Sequence, residues 1–543
     1  MSRLLNAVRI DADIESSPAH LRPFASQLGY QARALGLKPV ERMSAVSGPG
    51  WSYQVISPGG VPVVNHIQTW PDSDQPVAGE LDVQARSGLL AVHGRGRGET
   101  RPLGLPYVST LSACLSLQAA LAAGVGQRRG LCLTHTRTSL GGSALVAMMQ
   151  YLSESHDPHV AAAEVNPDYQ PPFVSSDGVC FELETLNPNN WLAFWQAFGF
   201  SGALVARGWR GFMQRYARAF TELPSELIAS LGEKSWEQIS SVAQQTGMAL
   251  CPVRSLAERR RDPDSFMLKA RGPWRFTESL APERSGPFRV SGNLPLSGVR
   301  VLESCRRIQG PLAGRLLQWL GAEVIRIEPP GGDPLRAMPP LLNDCSIRFQ
   351  ALNGDKETVE VDIKSSQGQA QLRELVRDSD VFLHNWAPGK ARQLGLEARD
   401  LQRVNPNLLY FYAGGWEEGE EPDLPGTDFM VQAYSGVAAE VSRLGGGRGG
   451  SLFTLLDVLG GALASQGVCA GLLQSYLKPS ALRGYSSLLG AASLLTRELP
   501  TASDSAVPAR VAEHSSEPCE DPLLASGIRP GEFCQVTSPW RFA

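Results

Sequence analysis

Leu296-Ser-Gly-Val-Arg-Val-Leu-Glu303 is the stretch on which the reading of the fold turns. Its centre, Val299-Arg300-Val301-Leu302, reads as a buried strand. The pattern then repeats outward. The spacing predicts a helix over 310–319 ended by Gly321 and a strand over 323–327. It continues with a strand over 358–363, a helix over 367–377, and strands over 381–385 and 408–412. Strands alternating with helices predict an α/β unit, a Rossmann-like parallel sheet covered on both faces. Ligands bind such sheets beyond the carboxyl ends of the strands.

Two loops at those ends carry arginines, Arg306-Arg-Ile-Gln-Gly-Pro311 and Glu328-Pro-Pro-Gly-Gly-Asp-Pro-Leu-Arg336. Arginines beside the free N–H groups of a helix start fit a phosphate or pyrophosphate site. The plainer alternative for both is a solvated connection. Further on, the chain places one acid in apolar company, Leu455-Leu-Asp-Val-Leu459, where a small-residue helix opens. An aspartate before an apolar helix is most often a cap. Burial would raise the cost of its charge, and a poorly hydrated carboxylate also suits a nucleophile. The residues alone leave both readings of Asp457 open.

The rest of the composition narrows the class. A chain of 543 residues, 43% hydrophobic and 19% charged, reads as globular with room for two to four domains. A net charge of -4 offers no basic field for nucleic acid. No run of eighteen apolar residues appears, and the opening residues lack a signal-peptide core, so no membrane association is expected. Nine cysteines without a Cys-x-x-Cys pair predict reduced thiols in a cytoplasmic protein. His156-Asp-Pro-His159 lacks a third ligand, so no metal is expected.

An internal repeat is visible. Val83-Gln-Ala-Arg-Ser-Gly88 recurs as Val431-Gln-Ala-Tyr-Ser-Gly436, and Pro-Trp-Arg-Phe occurs at 273–276 and 539–542. Each copy of the first motif leads into a Gly/Arg loop, the second being Gly445-Gly-Gly-Arg-Gly-Gly450. That loop, with Gly445, Gly446 and Gly447, fits a lid over a site; the alternative is a disordered surface loop. The expected organisation is a weakly patterned region 1–80 and a mainly helical unit 81–290. A Rossmann-like unit 291–495 and a linker with tail 496–543 complete it, with the middle helices internally duplicated.

Residues 296–492 resemble the family III CoA-transferases. The elements that carry the resemblance are Gly310-Pro311, Leu320-Gly-Ala-Glu-Val-Ile-Arg-Ile-Glu-Pro329, Asn353 with Lys356, Asn385-Trp-Ala-Pro-Gly389, Asp428 and Asp457. Residues 81–280 resemble the later part of the same family, through Ser176-Asp-Gly178, Trp191-Leu-Ala-Phe194 and Gly247-Met-Ala-Leu-Cys-Pro252. The chain thus resembles a permuted, partly duplicated member. Its Asp457 and Gly461 match the spacing of the family's nucleophilic aspartate, and the same register puts Pro106 in that place in the first copy.

The resemblance implies an enzyme that moves CoA from an acyl-CoA donor to a carboxylate acceptor through a covalent intermediate on Asp457. It implies coenzyme A thioesters as substrates, no permanently bound cofactor, and a homodimer or internal pseudo-dimer. CoA would lie along the strand ends near Arg306, Arg307, Gln309, Arg336, Lys356, Asn385, Trp386 and Arg392. The sequence departs from the family pattern at Ile308, where a glutamine is usual, at Glu357 and at Gln393. Two other functions stay open: a non-catalytic CoA-ester-binding pseudoenzyme or scaffold, and a 2-methylacyl-CoA racemase. The racemase histidine would fall at Thr427.

Overall fold

The computed structural model describes residues 4–40, 50–73, 76–154, 170–282, 291–419, 421–447, 449–499 and 517–543. The run at 299–302 forms the strand Arg300–Ser304 inside a seven-stranded sheet. The strands lie in the order Glu357–Glu360, Glu323–Glu328, Arg300–Ser304, Val381–His384, Leu409–Gly414, Ser480–Ser487 and Trp274–Leu280. The first six are parallel, and Trp274–Leu280 closes the edge antiparallel to Ser480–Ser487.

The alternation of side chains along these strands feeds two cores. Val301, Leu409 and Phe411 pack with Leu312 and Leu316 of the Gln309–Trp319 helix and Val468 of the Leu455–Leu477 helix. On the other face Leu302, Phe382 and Tyr410 pack with Leu372 and Val376 of the Ser366–Arg377 helix. The expected strand over 358–363 is the shorter Glu357–Glu360, because Asp362 turns the chain by accepting the Lys364 N–H at 3.1 Å. The strand expected to end at 412 runs on to Gly414 along Ser480–Ser487, a pairing between distant segments.

The first half departs from the expectation of weak patterning followed by helices. It contains a six-stranded sheet in the order Arg9–Asp11 flanked by Lys38–Pro39 and Trp51–Ile56, then Val63–Gln68, His135–Ser139 and Trp540–Phe542. Trp51–Ile56 buries alternate residues, a period of two obscured by its Gly- and Pro-rich surroundings. Residues 170–271 build a further core around Trp191, Phe194, Trp195 and Phe212, beside the small sheet of Phe173–Val174, Cys180–Glu184 and Ala249–Pro252.

Two long helices, Tyr107–Arg128 and Leu455–Leu477, pack against each other at the centre. Both are long and apolar enough to cross a membrane by length and composition, a length the sequence reading underestimated, and both are buried inside the protein. Two polar pairs cross the contact: the Cys114 thiol donates to Gln466 Oε1 at 2.8 Å, and Gln118 donates to Ser465. One expectation about the thiols is corrected. Cys519 and Cys534 form a disulfide between two segments of the C-terminal tail, which chain spacing alone does not announce.

Candidate active site

A cleft of about 900 Å³ opens beyond the carboxyl ends of the parallel strands. Three strand ends contribute. Arg307 and Gln309 follow Arg300–Ser304, Asn385 and Trp386 follow Val381–His384, and Gly415 follows Leu409–Gly414. Asp457 enters from the Leu455–Leu477 helix, and Glu184 and Tyr216 come from the 170–271 body.

Two helix starts meet here because glycines let them. A Cβ at Gly461 would stand 2.6 Å from the Gln309 carbonyl oxygen, and one at Gly460 would stand 2.7 Å from Leu488 Cδ2. The start of Gln309–Trp319 is thereby held against the start of Leu455–Leu477. Gln309 is fixed by donating Nε2–H to the Gly414 carbonyl at 3.1 Å.

Asp457 is the third residue of its helix, not its cap. Its own N–H donates to Asp428 Oδ2 at 2.7 Å, so Asp428 takes the part that a helix cap would play. Asp428 opens the Asp428–Ser435 helix, is fully buried, and also accepts from Gln432 Nε2 at 2.5 Å. Among the described residues, the Asp457 carboxyl oxygens take no hydrogen bond. Burial pushes its carboxyl up to about 6, against the pull of the Arg307 guanidinium. Asp428 is driven well above the usual carboxylate range by burial and by Asp457. Burial of both carboxyls and their mutual repulsion disfavour two charges on the pair.

Arg307 sits between the groups that matter. Its backbone is left-handed, with φ at 68°, a strained conformation costing about 1–2 kcal/mol for a residue with a Cβ. Its guanidinium lies 5.3 Å from the centre of the Tyr216 ring. Tyr216 donates its hydroxyl to Glu184, and Glu184 is further held by Arg215 at 2.8 Å and by the Thr427 hydroxyl at 3.2 Å. Glu184 Oε1 is buried without a hydrogen-bond partner among the described residues.

The expected residues divide. Asp457, Arg307, Gln309, Asn385 and Trp386 share the cleft. Arg306 is exposed beside it, its N–H and C=O both bonded to the Asn385 side chain at 2.9 Å. Arg336 lies outside the cleft lining, in a two-pronged pair with Glu328 at 2.8 Å. Arg392 is paired with Glu397 on the surface. Lys356 is fully buried, and its three donors go to Glu303, the Pro311 carbonyl and Asn353. It belongs to a buried ionic network in which Arg326 joins Glu303, Glu328 and Asp333.

The glycine loop also sits elsewhere than expected. A Cβ at Gly445 would collide with the Pro102 carbonyl and one at Gly447 with Arg101, so Gly445, Gly446 and Gly447 pack on the 101–104 segment instead of lining the cleft. The register that placed Pro106 opposite the acid is corrected too. Pro106 precedes Tyr107–Arg128 as Thr454 precedes Leu455–Leu477, so the third helical residue is Ser109. Glu80 accepts the Val108 and Ser109 N–H groups at 2.7 and 2.8 Å, as Asp428 accepts that of Asp457.

Sequence reasoning missed Glu184, Tyr216 and the capping role of Asp428. For Asp428 a signal existed: its position three residues before the repeated Val431 is matched by Glu80 before Val83. The His156 and His159 pair lies outside the described residues, and no cluster of three metal-ligating groups occurs among those described.

The model of CoA-transferase family III matches residues 64–290 and 296–478, and the chain belongs to that family. It is 35% identical over 185 residues to succinyl-CoA:glutarate CoA-transferase of Mus musculus, covering 34% of this chain and 42% of that protein. It is 36% identical over 186 residues to a probable fatty acyl-CoA transferase of Mycobacterium tuberculosis, covering 33% and 46%. It is 31% identical over 205 residues to acetyl-CoA:oxalate CoA-transferase of Acetobacter aceti, covering 36% and 49%. Each match spans less than half of the relative's length. An orthorhombic crystal structure of the M. tuberculosis protein aligns with a TM-score of 0.35 at 32% identity, over 38% of this chain and 58% of that one.

Proposed function

We propose that this protein transfers coenzyme A from an acyl-CoA to a carboxylic acid, with Asp457 as the covalent carrier. One observation carries the reading: a buried carboxylate in a cleft, free of hydrogen bonds among the described residues. A carboxylate stripped of water is a stronger nucleophile than a solvated one. Membership of the family supports the reaction class.

The sequence of bonds is as follows. The Asp457 carboxylate attacks the donor thioester carbonyl, and the C–S bond breaks to give an acyl-aspartyl anhydride and CoA thiolate. The thiolate attacks the aspartyl carbonyl, releasing the donor's carboxylate and leaving an aspartyl-CoA thioester. The acceptor carboxylate attacks that thioester, forming a second anhydride and freeing the thiolate again. Thiolate attack on the acceptor's carbonyl yields the new acyl-CoA and restores Asp457. Anhydrides hydrolyse, so the site must exclude water, and the burial of Asp457 supports this. Arg307 is the cation placed to balance charge on the carboxylate and the carbonyl oxygen. Asn385, Trp386 and Arg306 at the strand ends are the proposed CoA contacts, in preference to Lys356, whose donors are occupied.

We propose further that the first half is a non-catalytic relative of the second, giving an internal pseudo-dimer. Ser139 and Ser487 cap matching helices, Trp70 and Trp416 each donate to a nearby carbonyl at 2.7 Å, and Ser109 stands at the place of Asp457. Racemase chemistry is disfavoured because Thr427 donates to Glu184 where a histidine would be needed, and no histidine among the described residues lines the cleft. The test is CoA exchange between a panel of acyl-CoAs and carboxylates. Exchange in the wild type, abolished by Asp457→Ala, supports the proposal; a wild type inert across the panel, or an undiminished variant, overturns it.

A further inference from the structure

A second cavity of about 110 Å³ adjoins the cleft and shares Arg307 and Tyr216 with it. Its walls come from three regions of the chain. Met213 belongs to the Gly202–Arg218 helix, Leu335 and Met338 to the loop after Glu323–Glu328, and Phe349 and Leu352 to the Ile347–Asn353 helix. Arg307, the cation that acts on Asp457, thus borders both spaces.

Apart from Arg307, which it shares with the cleft, its polar wall groups are already engaged. Gln150 donates to Thr454 at 3.1 Å, and Asn353 donates to the Phe349 carbonyl and accepts from Lys356. Ser346 Oγ accepts the Phe349 N–H. Arg348 pairs with Glu154, and its Nη1 donates to the Pro339 carbonyl at 3.2 Å. Its Nε and Nη2 are buried, out of reach of an anion in the cavity. Hydrocarbon is what the remaining surface accommodates.

We propose that this cavity is the acyl pocket and selects an uncharged aliphatic acyl group of short to medium length. Its volume is somewhat below the roughly 150 Å³ cavity that admits a benzene ring, which sets the chain at about four to six carbons. The inference rests on the acyl-CoA reading of the neighbouring cleft. Each methylene buried there adds about fourfold to affinity until the space is full.

The test measures binding by calorimetry on the full chain carrying Asp457→Asn, so that no thioester is consumed. The probes are CoA and acetyl-, butanoyl-, hexanoyl-, decanoyl- and glutaryl-CoA. The expected result is tightest binding for butanoyl- or hexanoyl-CoA, at least about tenfold over acetyl-CoA, with decanoyl- and glutaryl-CoA gaining nothing. Adding Leu352→Trp should erase that preference, and adding Met213→Ala should move the optimum to a longer chain. Equal affinities, preferences unmoved by both substitutions, tightest binding of glutaryl-CoA, or no binding overturns the assignment. Wild-type exchange is followed in parallel. Selective binding without exchange leaves the pocket standing and removes the transferase reading, whereas exchange with a flat chain-length profile does the reverse.

Discussion

Replacing Asp457 by asparagine is expected to make the protein more stable at neutral pH while it abolishes transfer. The carboxyl is raised from 3.8 to about 6 by burial, so the folded state holds its proton more tightly than the unfolded chain does. Above about pH 6 the folded protein carries a charge that costs it stability. At about 1.4 kcal/mol per pH unit, that cost reaches up to about 3 kcal/mol and vanishes below about pH 4. Asparagine keeps the shape and removes the charge. Urea unfolding of the two proteins should therefore separate at pH 7.5, with the variant more stable by up to about 3 kcal/mol, and converge near pH 4. A variant that is equally or less stable at pH 7.5, or a difference that does not depend on pH, would refute the claim of a desolvated, charged carboxylate.

Three further outcomes follow from the same geometry. Arg307→Gln removes the cation that holds Asp457 down, so the acid limb of the exchange profile should move to higher pH; an unmoved limb would separate Arg307 from Asp457. Asp428→Ala leaves the N–H of Asp457 without its acceptor and should cost about 1–2 kcal/mol in thermal unfolding. Asp428→Asn, which keeps an acceptor oxygen, should cost less than half of that. Lys356→Met leaves Glu303 to Arg326 alone in the buried network and should destabilise the fold by up to about 3 kcal/mol. A variant of unchanged stability that binds CoA more weakly would return Lys356 to the binding site.

Most of the parallel sheet was legible because short strands with apolar centres alternate with amphipathic helices, as with Arg300–Ser304 and Ser366–Arg377. Two pairings escaped the sequence for one reason. Ser480–Ser487 and Trp274–Leu280 are polar-rich segments whose strand character comes from partners far along the chain. Asp457 could be singled out by its neighbours, and Asp428 only through the matched place of Glu80 in the repeat. Nothing near Asp457 in sequence announces that Arg307 would face it. Lys356 shows the opposite failure: a motif lysine looked like a ligand-binding charge, and only packing reveals that its three donors are consumed internally.

The most direct test of the account is to incubate the full chain with an acyl-CoA it binds, quench with hydroxylamine, and read the peptide carrying Asp457 by mass spectrometry. The account predicts conversion of Asp457 to its hydroxamate, dependent on acyl-CoA and unaccompanied by modification of Asp428 or Glu184. Turnover with Asp457 unmodified, or a hydroxamate on another carboxylate, would contradict it.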